Sequence, residues 1–398
     1  MALNIEDPNN KIPIGTFSLF ALGFRPFFLF AAFLAPLLIL LWLLQLSGVL
    51  TLSTYYSATG WHAHEMLFGY TVAVIAGFLL TATGNWTGMK MVNGWQLALL
   101  SAVFVLGRLA PFMTSVSYQT LAAIDLAFIP LVAFLIAVPV IKARQWSNII
   151  FVPLLLTMAA ANLTVHLSAL GVIDVSVVSG NRAMLYLAVF LIVVMGGRVI
   201  PFFTERGVAG VTTQKWVAIE WLSPASILLV VIADVIYADK ILTAGVALVA
   251  ALVHSVRLAG WYSNKIWQVP LVWILQVAYA WFIVGFVLKA LVLIDVNYSL
   301  HAYHAFTVGG IGIMTLGMMA RVSLGHTGRE MILNRWMLYS FILINIATVI
   351  RVITPMFLPE SYLLLIQLAG WLWFAAFIIF LIVYTPMWLY SRVDGREG

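Results

Sequence analysis

Twelve apolar runs, each close to or above the ~20 residues that a helix needs to cross hydrocarbon, fill this chain almost from end to end. They cover residues 17–46, 61–83, 94–112, 118–141, 148–170, 180–203, 216–237, 241–260, 269–294, 299–322, 336–354 and 361–390, with short turns rich in Gly, Pro, Asn and Ser between them. In lipid a backbone amide has no water to turn to, so runs of this length are helices. The expected fold class is an all-α polytopic membrane protein of about twelve transmembrane helices. It forms a single domain over residues 1–398: a cytoplasmic segment 1–16, the bundle 17–390 and a cytoplasmic tail 391–398.

Composition agrees. The chain is 64% hydrophobic and only 9% charged, with a mean hydropathy of +1.07, whereas about a quarter of a soluble domain is charged. The net charge of +6 would suggest nucleic acid in a soluble protein. Here Lys and Arg sit in short connections, so a lipid bilayer is the expected partner and nucleic acid is not. With the N-terminus inside, Lys11, Lys90, Lys142, Arg144, Arg206, Lys215, Arg257, Lys265, Arg329, Arg335, Arg392 and Arg396 fall on one side, against Arg182 and Lys240 on the other. That asymmetry puts both termini in the cytoplasm. Residues 1–11 are polar and mixed in charge, so no cleaved signal peptide is expected. Zero cysteines leave histidine, methionine, tyrosine, carboxylate and backbone oxygen as possible metal ligands.

Ionisable groups in hydrocarbon cost roughly 2.5 to 3.5 kcal/mol each and so mark sites by default. In this orientation His62, His64, His301 and His304 open the second and tenth runs at one depth near the outer face. His166, Arg108 and Arg351 join them from the outer ends of the fifth, third and eleventh runs. At about 100° per helical residue, His62 and His64 diverge by about 200°, while His301 and His304 stay about 60° apart. His62 shares a face with Glu65 and Met66, and could form a small metal or proton site with Glu65. His64 shares one with Phe68 and Thr71. Imidazoles from two helices at one depth suit the axial positions of a haem iron, with Arg108 and Arg351 placed to meet its propionates. Copper would equally accept imidazoles from His62, His166 or His301. The plainer alternative, hydrogen bonding to headgroups or loop carbonyls, fits His254 and His326 nearer the cytoplasm.

The chain also repeats itself. At an offset of 240 residues, His64 aligns with His304, Gly69 with Gly309, Gly77 with Gly317 and Thr87-Gly88 with Thr327-Gly328. A second offset, 123, pairs Arg198-Val199, Thr204 and Arg206 with Arg321-Val322, Thr327 and Arg329. Equivalence of runs two, six and ten implies three repeats of four helices.

Several motifs resemble the NnrS family of bacterial inner-membrane proteins. They are Leu22-Gly23-Phe24-Arg25-Pro26-Phe27-Phe28, His62-Ala63-His64-Glu65-Met66-Leu67-Phe68-Gly69, Asn85-Trp86-Thr87-Gly88 and Gly196-Gly197-Arg198-Val199-Ile200-Pro201-Phe202-Phe203-Thr204. The last is Met314-Thr315-Leu316-Gly317-Met318-Met319-Ala320-Arg321 with Gly325-His326-Thr327-Gly328-Arg329 behind it. The resemblance implies an inner-membrane protein carrying haem and copper, tied to the nitric oxide response and relief of nitrosative stress. It leaves the reaction open, an oxidoreductase acting on nitric oxide being one outcome. A weaker similarity links the second and tenth runs, the latter with Asp295, Tyr298 and His301-Ala302-Tyr303-His304, to the haem-ligand helices of haem–copper oxidase catalytic subunits. Those oxidases hold copper with histidines on and after their sixth helix, and this chain has none in its sixth or seventh run. Dioxygen reduction and proton pumping of that design are therefore not expected.

The resulting expectation is a haem b and copper protein that binds or processes nitric oxide, with an electron donor that the sequence does not name. His64 and His304 would ligate one haem, and His301 a second haem or copper. His62, Glu65 and His166 would stand near copper, with Arg108 and Arg351 at propionates. The alternatives are a secondary transporter, whose halves usually repeat after about six helices, or a haem or copper carrier.

Overall fold

A computed structural model describes residues 12–396 apart from Ser53 and Thr114, so segment 1–11 lies outside the described residues. Twelve helices are long and apolar enough to cross a membrane: α1 (Phe24–Leu46), α2 (Ala58–Thr87), α3 (Gly94–Phe112), α4 (Tyr118–Lys142), α5 (Trp146–Ala169) and α6 (Val177–Gly207), followed by α7 (Val217–Ile236), α8 (Lys240–Trp261), α9 (Pro270–Leu293), α10 (Tyr298–His326), α11 (Arg335–Met356) and α12 (Pro359–Leu389). No strand is present among the described residues, only an isolated antiparallel bridge between Phe17 and Tyr390. The protein is an all-α, multi-pass membrane protein.

Helix ends follow local chemistry. The Ser57 side chain accepts from the Gly60 amide and starts α2 three residues ahead of the expected run, and Gly88, left-handed at φ +66°, ends it. The first run was expected from residue 17, but α1 begins at Phe24, because the preceding backbone pairs with the other terminus. Ser18 N–H donates to the Leu389 carbonyl at 2.7 Å and Ser391 N–H to the Thr16 carbonyl at 2.8 Å.

Three helices are far more enclosed than most of the rest: the most apolar windows of α2, α6 and α10 are 83, 78 and 83% buried, while the nine others range from 28 to 61%. They are four helices apart, the spacing expected from the two sequence offsets. Around them the chain runs as a ring in which neighbours in sequence pack together, and α12 returns against α1. Both termini therefore meet on one face, as an even number of spans requires.

The 240-residue offset extends to backbone irregularity. A π-helical stretch, Glu65–Thr71, starts directly after His64 in α2, and another, Ala305–Gly312, directly after His304 in α10. Such wide turns inside membrane helices are concentrated at functional sites.

Several motifs have structural work. Arg25 is fully buried and its Nη1 donates to the carbonyls of Met387, Trp388 and Tyr390, capping the end of α12. Beyond α10, Gly328 takes φ +72°, while Arg392 Nη1 donates to the His326 carbonyl at 3.0 Å and Val393 N–H to that of Thr327. In Gly196-Gly197-Arg198, the bare Cα of Gly197 admits the Arg257–Glu220 ion pair against α6, since a Cβ there would meet Arg257 and come within 2.8 Å of Glu220 Oε2.

Candidate functional site

Because α2 and α10 start on one face and α3, α5, α7, α9 and α11 end on it, their polar residues collect at one level. They form separate clusters.

The first cluster surrounds His64. Its Nδ1 lies 3.0 Å from Glu65 Oε1 and its Nε2 3.0 Å from Asn162 Oδ1. The Asn162 amide is held that way round because its Nδ2 donates to Asp125 Oδ2 at 2.9 Å. Both imidazole nitrogens of His64 therefore face side-chain oxygens. Arg108 Nη1 donates to both Glu65 oxygens at 3.1 Å, and its Nη2 pairs closely with Asp125 Oδ1. Glycines make the room: a Cβ on Gly69 would lie 3.2 Å from Glu65 Oε2, and one on Gly107 2.9 Å from Asp125 Oδ1.

His166 completes this cluster. Its Nε2 donates to Asp125 Oδ2 at 2.9 Å, and the hydroxyls of Tyr55 and Tyr56 face Nδ1 at 3.0 and 3.1 Å. These tyrosines precede α2, and burial pushes the Tyr55 phenol up to about 12 and that of Tyr56 well above 10, so both stay protonated, with one of them donating to the single Nδ1 lone pair and Tyr55 also within reach of the Tyr56 oxygen at 3.1 Å. One ligand atom each from His64, Asp125 and His166 lies within 4.8 Å of the other two. Two imidazoles and a carboxylate with this convergence can hold a first-row divalent metal.

The second cluster lies at a cavity of about 430 Å³, counted to its mouth, between α1, α2, α10, α11 and α12. His62, His304 and Arg351 line it together with Trp42 and Trp373. His304 Nδ1–H donates to the Leu300 carbonyl at 2.8 Å, which directs the lone pair to Nε2, where Arg351 Nη2 donates at 2.9 Å. A backbone bond that fixes the tautomer in this way is typical of metal-ligating histidines. His62 stacks on Trp42 at 4.5 Å. The buried Nδ1 of His62 and Nη1 of Arg351 have no hydrogen-bond partner.

Placement therefore differs from expectation in particular residues. His64 and His304 share no partner, since the divergence of successive α2 residues turns His62, not His64, to the cavity of His304. Glu65 pairs with His64 and Arg108 rather than His62. Arg108 is engaged by two carboxylates and keeps only its buried Nε unpartnered, whereas Arg351, bonded to His304 through Nη2, keeps Nη1 unpartnered at the cavity. His301 is buried with its Nδ1 unpartnered, and it does not line the cavity. His254 is satisfied by Tyr279 at 2.6 Å and by Ser226, as a structural histidine should be.

Asp125, Asn162, Tyr55 and Tyr56 were missed by sequence reasoning. The signal for Asp125 was a lone carboxylate inside an apolar run, which is costly unless used. A third cluster was missed likewise: Asp234 pairs with Lys289 at 2.7 Å and with Arg182 at 3.7 Å, and accepts from Tyr186 at 2.9 Å. At the 123-residue offset Lys289 corresponds to His166, and Asn181 to His304, so this repeat carries lysine and amide where the others carry imidazole.

A ring of nine membrane helices around three enclosed ones, with histidine clusters sunk into one end, defines a polytopic membrane protein with a buried polar centre. The chain belongs to the NnrS family, whose profile matches residues 18–392, nearly its whole length. No curated protein matches the chain.

Proposed function

We propose that this protein holds haem b and copper in the bacterial inner membrane, with both termini cytoplasmic, and that it binds or processes nitric oxide in the response to nitrosative stress. Family membership supports the nitric oxide relation. The observation that carries the cofactor reading is the cavity of His62, His304 and Arg351, where buried imidazole and guanidinium nitrogens lack partners.

The residues fit the two groups differently. His62 and His304 would ligate haem iron, with Leu300 fixing the His304 tautomer, Trp42 holding the His62 ring plane and the unpartnered Nη1 of Arg351 available to a propionate. His64, Asp125 and His166 would hold copper, whose carboxylate and imidazole donors suit the cupric state. When bound, the haem would supply one-electron transfer and the copper a centre able to bind a small molecule such as nitric oxide. Around that centre Tyr55 and Tyr56 orient His166, Glu65 orients His64, and Arg108 offsets the negative charge of the two carboxylates. Electrons would come from a separate donor.

The copper assignment is tested by elemental analysis of the purified protein. One copper per chain is expected in the wild type and only traces in Asp125→Ala and His166→Ala, with haem content unchanged in both. Copper retained in both variants would rule out this ligand set.

A further inference from the structure

A second cavity lies on the central axis, away from both histidine clusters. It holds about 570 Å³, counted to its mouth, between the three enclosed helices α2, α6 and α10, with Phe28 of α1 at one wall. Thr71 and Thr315 mark its upper end. Thr71 is seven residues along α2 from His64 and Thr315 eleven along α10 from His304, about 10 and 16 Å at the α-helical rise. The cavity begins where the π-helical stretches Glu65–Thr71 and Ala305–Gly312 run out. Wide turns at equivalent places in two of the three central helices spoil the close packing that the straight remainder would give.

The lining offers almost nothing to water, since both of its hydroxyl donors are already used. Thr71 Oγ1 donates to the Met66 carbonyl at 2.9 Å, and Thr315 Oγ1 to those of Ile311 and Gly312 while it also meets the Tyr70 hydroxyl at 2.5 Å. The remaining surface is aliphatic, aromatic and thioether, from residues such as Val74, Ile192, Met195 and Met314. A buried water needs two to four polar partners, and an apolar cavity stays dry and takes up apolar atoms instead. Methionine thioethers are polarisable and adapt to such guests.

The cavity also has an entrance and a neighbour. Phe78, Val199 and Met318, one from each central helix and all partly exposed, lie at its lower end, away from the histidines. At its upper end the Tyr70–Thr315 bond joins α2 to α10. The Tyr70 ring meets Trp373 edge-on at 6.1 Å, and Trp373 is a wall of the His62–His304 cavity. The contacts from Thr315 through Tyr70 to Trp373 thus link the wall of the dry cavity to that of the histidine cavity.

We propose that the space between α2, α6 and α10 is a binding site for a small apolar gas, a station on the way to the histidine cavity. That the gas is nitric oxide rests on the function proposed above; the existence of the site does not. Crystals of the full-length protein under xenon pressure test it directly, because xenon needs neither haem nor copper. Xenon is expected among Val74, Ile192 and Met314 in the wild type, and is expected to be absent from Val74→Phe and Ile192→Phe while Leu228→Phe, on the lipid-facing side of α7, retains it. Should either filling variant fail to accumulate, the wild-type crystal decides alone. Xenon missing from this position, or found there undiminished in a filled variant, overturns the proposal. A colourless protein that still binds xenon here would sink the haem reading and leave the gas site standing.

Discussion

Replacing Arg108 by leucine is expected to destabilise the protein by about 3 to 5 kcal/mol, the usual consequence of removing one partner from a buried ion pair. Glu65 is 2% exposed and Asp125 4%, so the two carboxylates would be left in the membrane without their guanidinium partner, Asp125 held by Asn162 and His166 and Glu65 beside His64. Thermal unfolding in detergent should show a transition many degrees lower, or too little folded protein to measure. The cause can be separated from simple loss of packing. Adding Asp125→Asn to Arg108→Leu removes one of the two stranded charges and should recover much of the stability, whereas adding Asp234→Asn, in the third cluster, should recover none. A stable Arg108→Leu protein, or rescue by the remote change, would mean that this cluster is not held together by charge balance.

The second large effect is expected at Arg25. Its guanidinium is fully buried and donates to three carbonyls at the end of α12, and hydrogen bonds from charged donors contribute about 1.5 to 3 kcal/mol each. Arg25→Leu strands those carbonyls and loosens the seam at which α12 closes the ring on α1. A drop in melting temperature is expected together with faster proteolysis after Trp388. Arg25→Lys, one donor group on a flexible stem, should restore only part of both. If melting and cleavage are unchanged, the ring does not depend on this cap.

The number of spans was legible because twenty consecutive apolar residues have few other fates in a bilayer. The arrangement of α2, α6 and α10 at the centre was legible too, from the identities at offsets 240 and 123. What could not be read was the partner of each side chain. His64 and His304 occupy aligned positions, which invites pairing them, yet aligned positions in a threefold ring belong to different inter-helix spaces. His64 looks toward α4 and α5, His304 toward α1, α11 and α12, and it is His62 that crosses to the latter. Asp125 was visible as a lone acid in an apolar run, but its partners Arg108, Asn162 and His166 lie on two other helices, α3 and α5, so only the packing of α3, α4 and α5 reveals the cluster. The start of α1 was placed seven residues early because residues 17–23 are apolar enough to be helical, while their backbone groups are taken up by the terminus that folds back on them.

The central claim is that His62 and His304 grip haem iron within the α2–α10 cavity. The most direct measurement is the visible absorption spectrum of the purified protein beside that of His62→Ala, His304→Ala and His64→Ala. A Soret band is expected in the wild type, with its loss or marked shift in the first two variants and a haem band of unchanged position in the third. A colourless wild type, or a band that survives both cavity substitutions and disappears with His64, would contradict it.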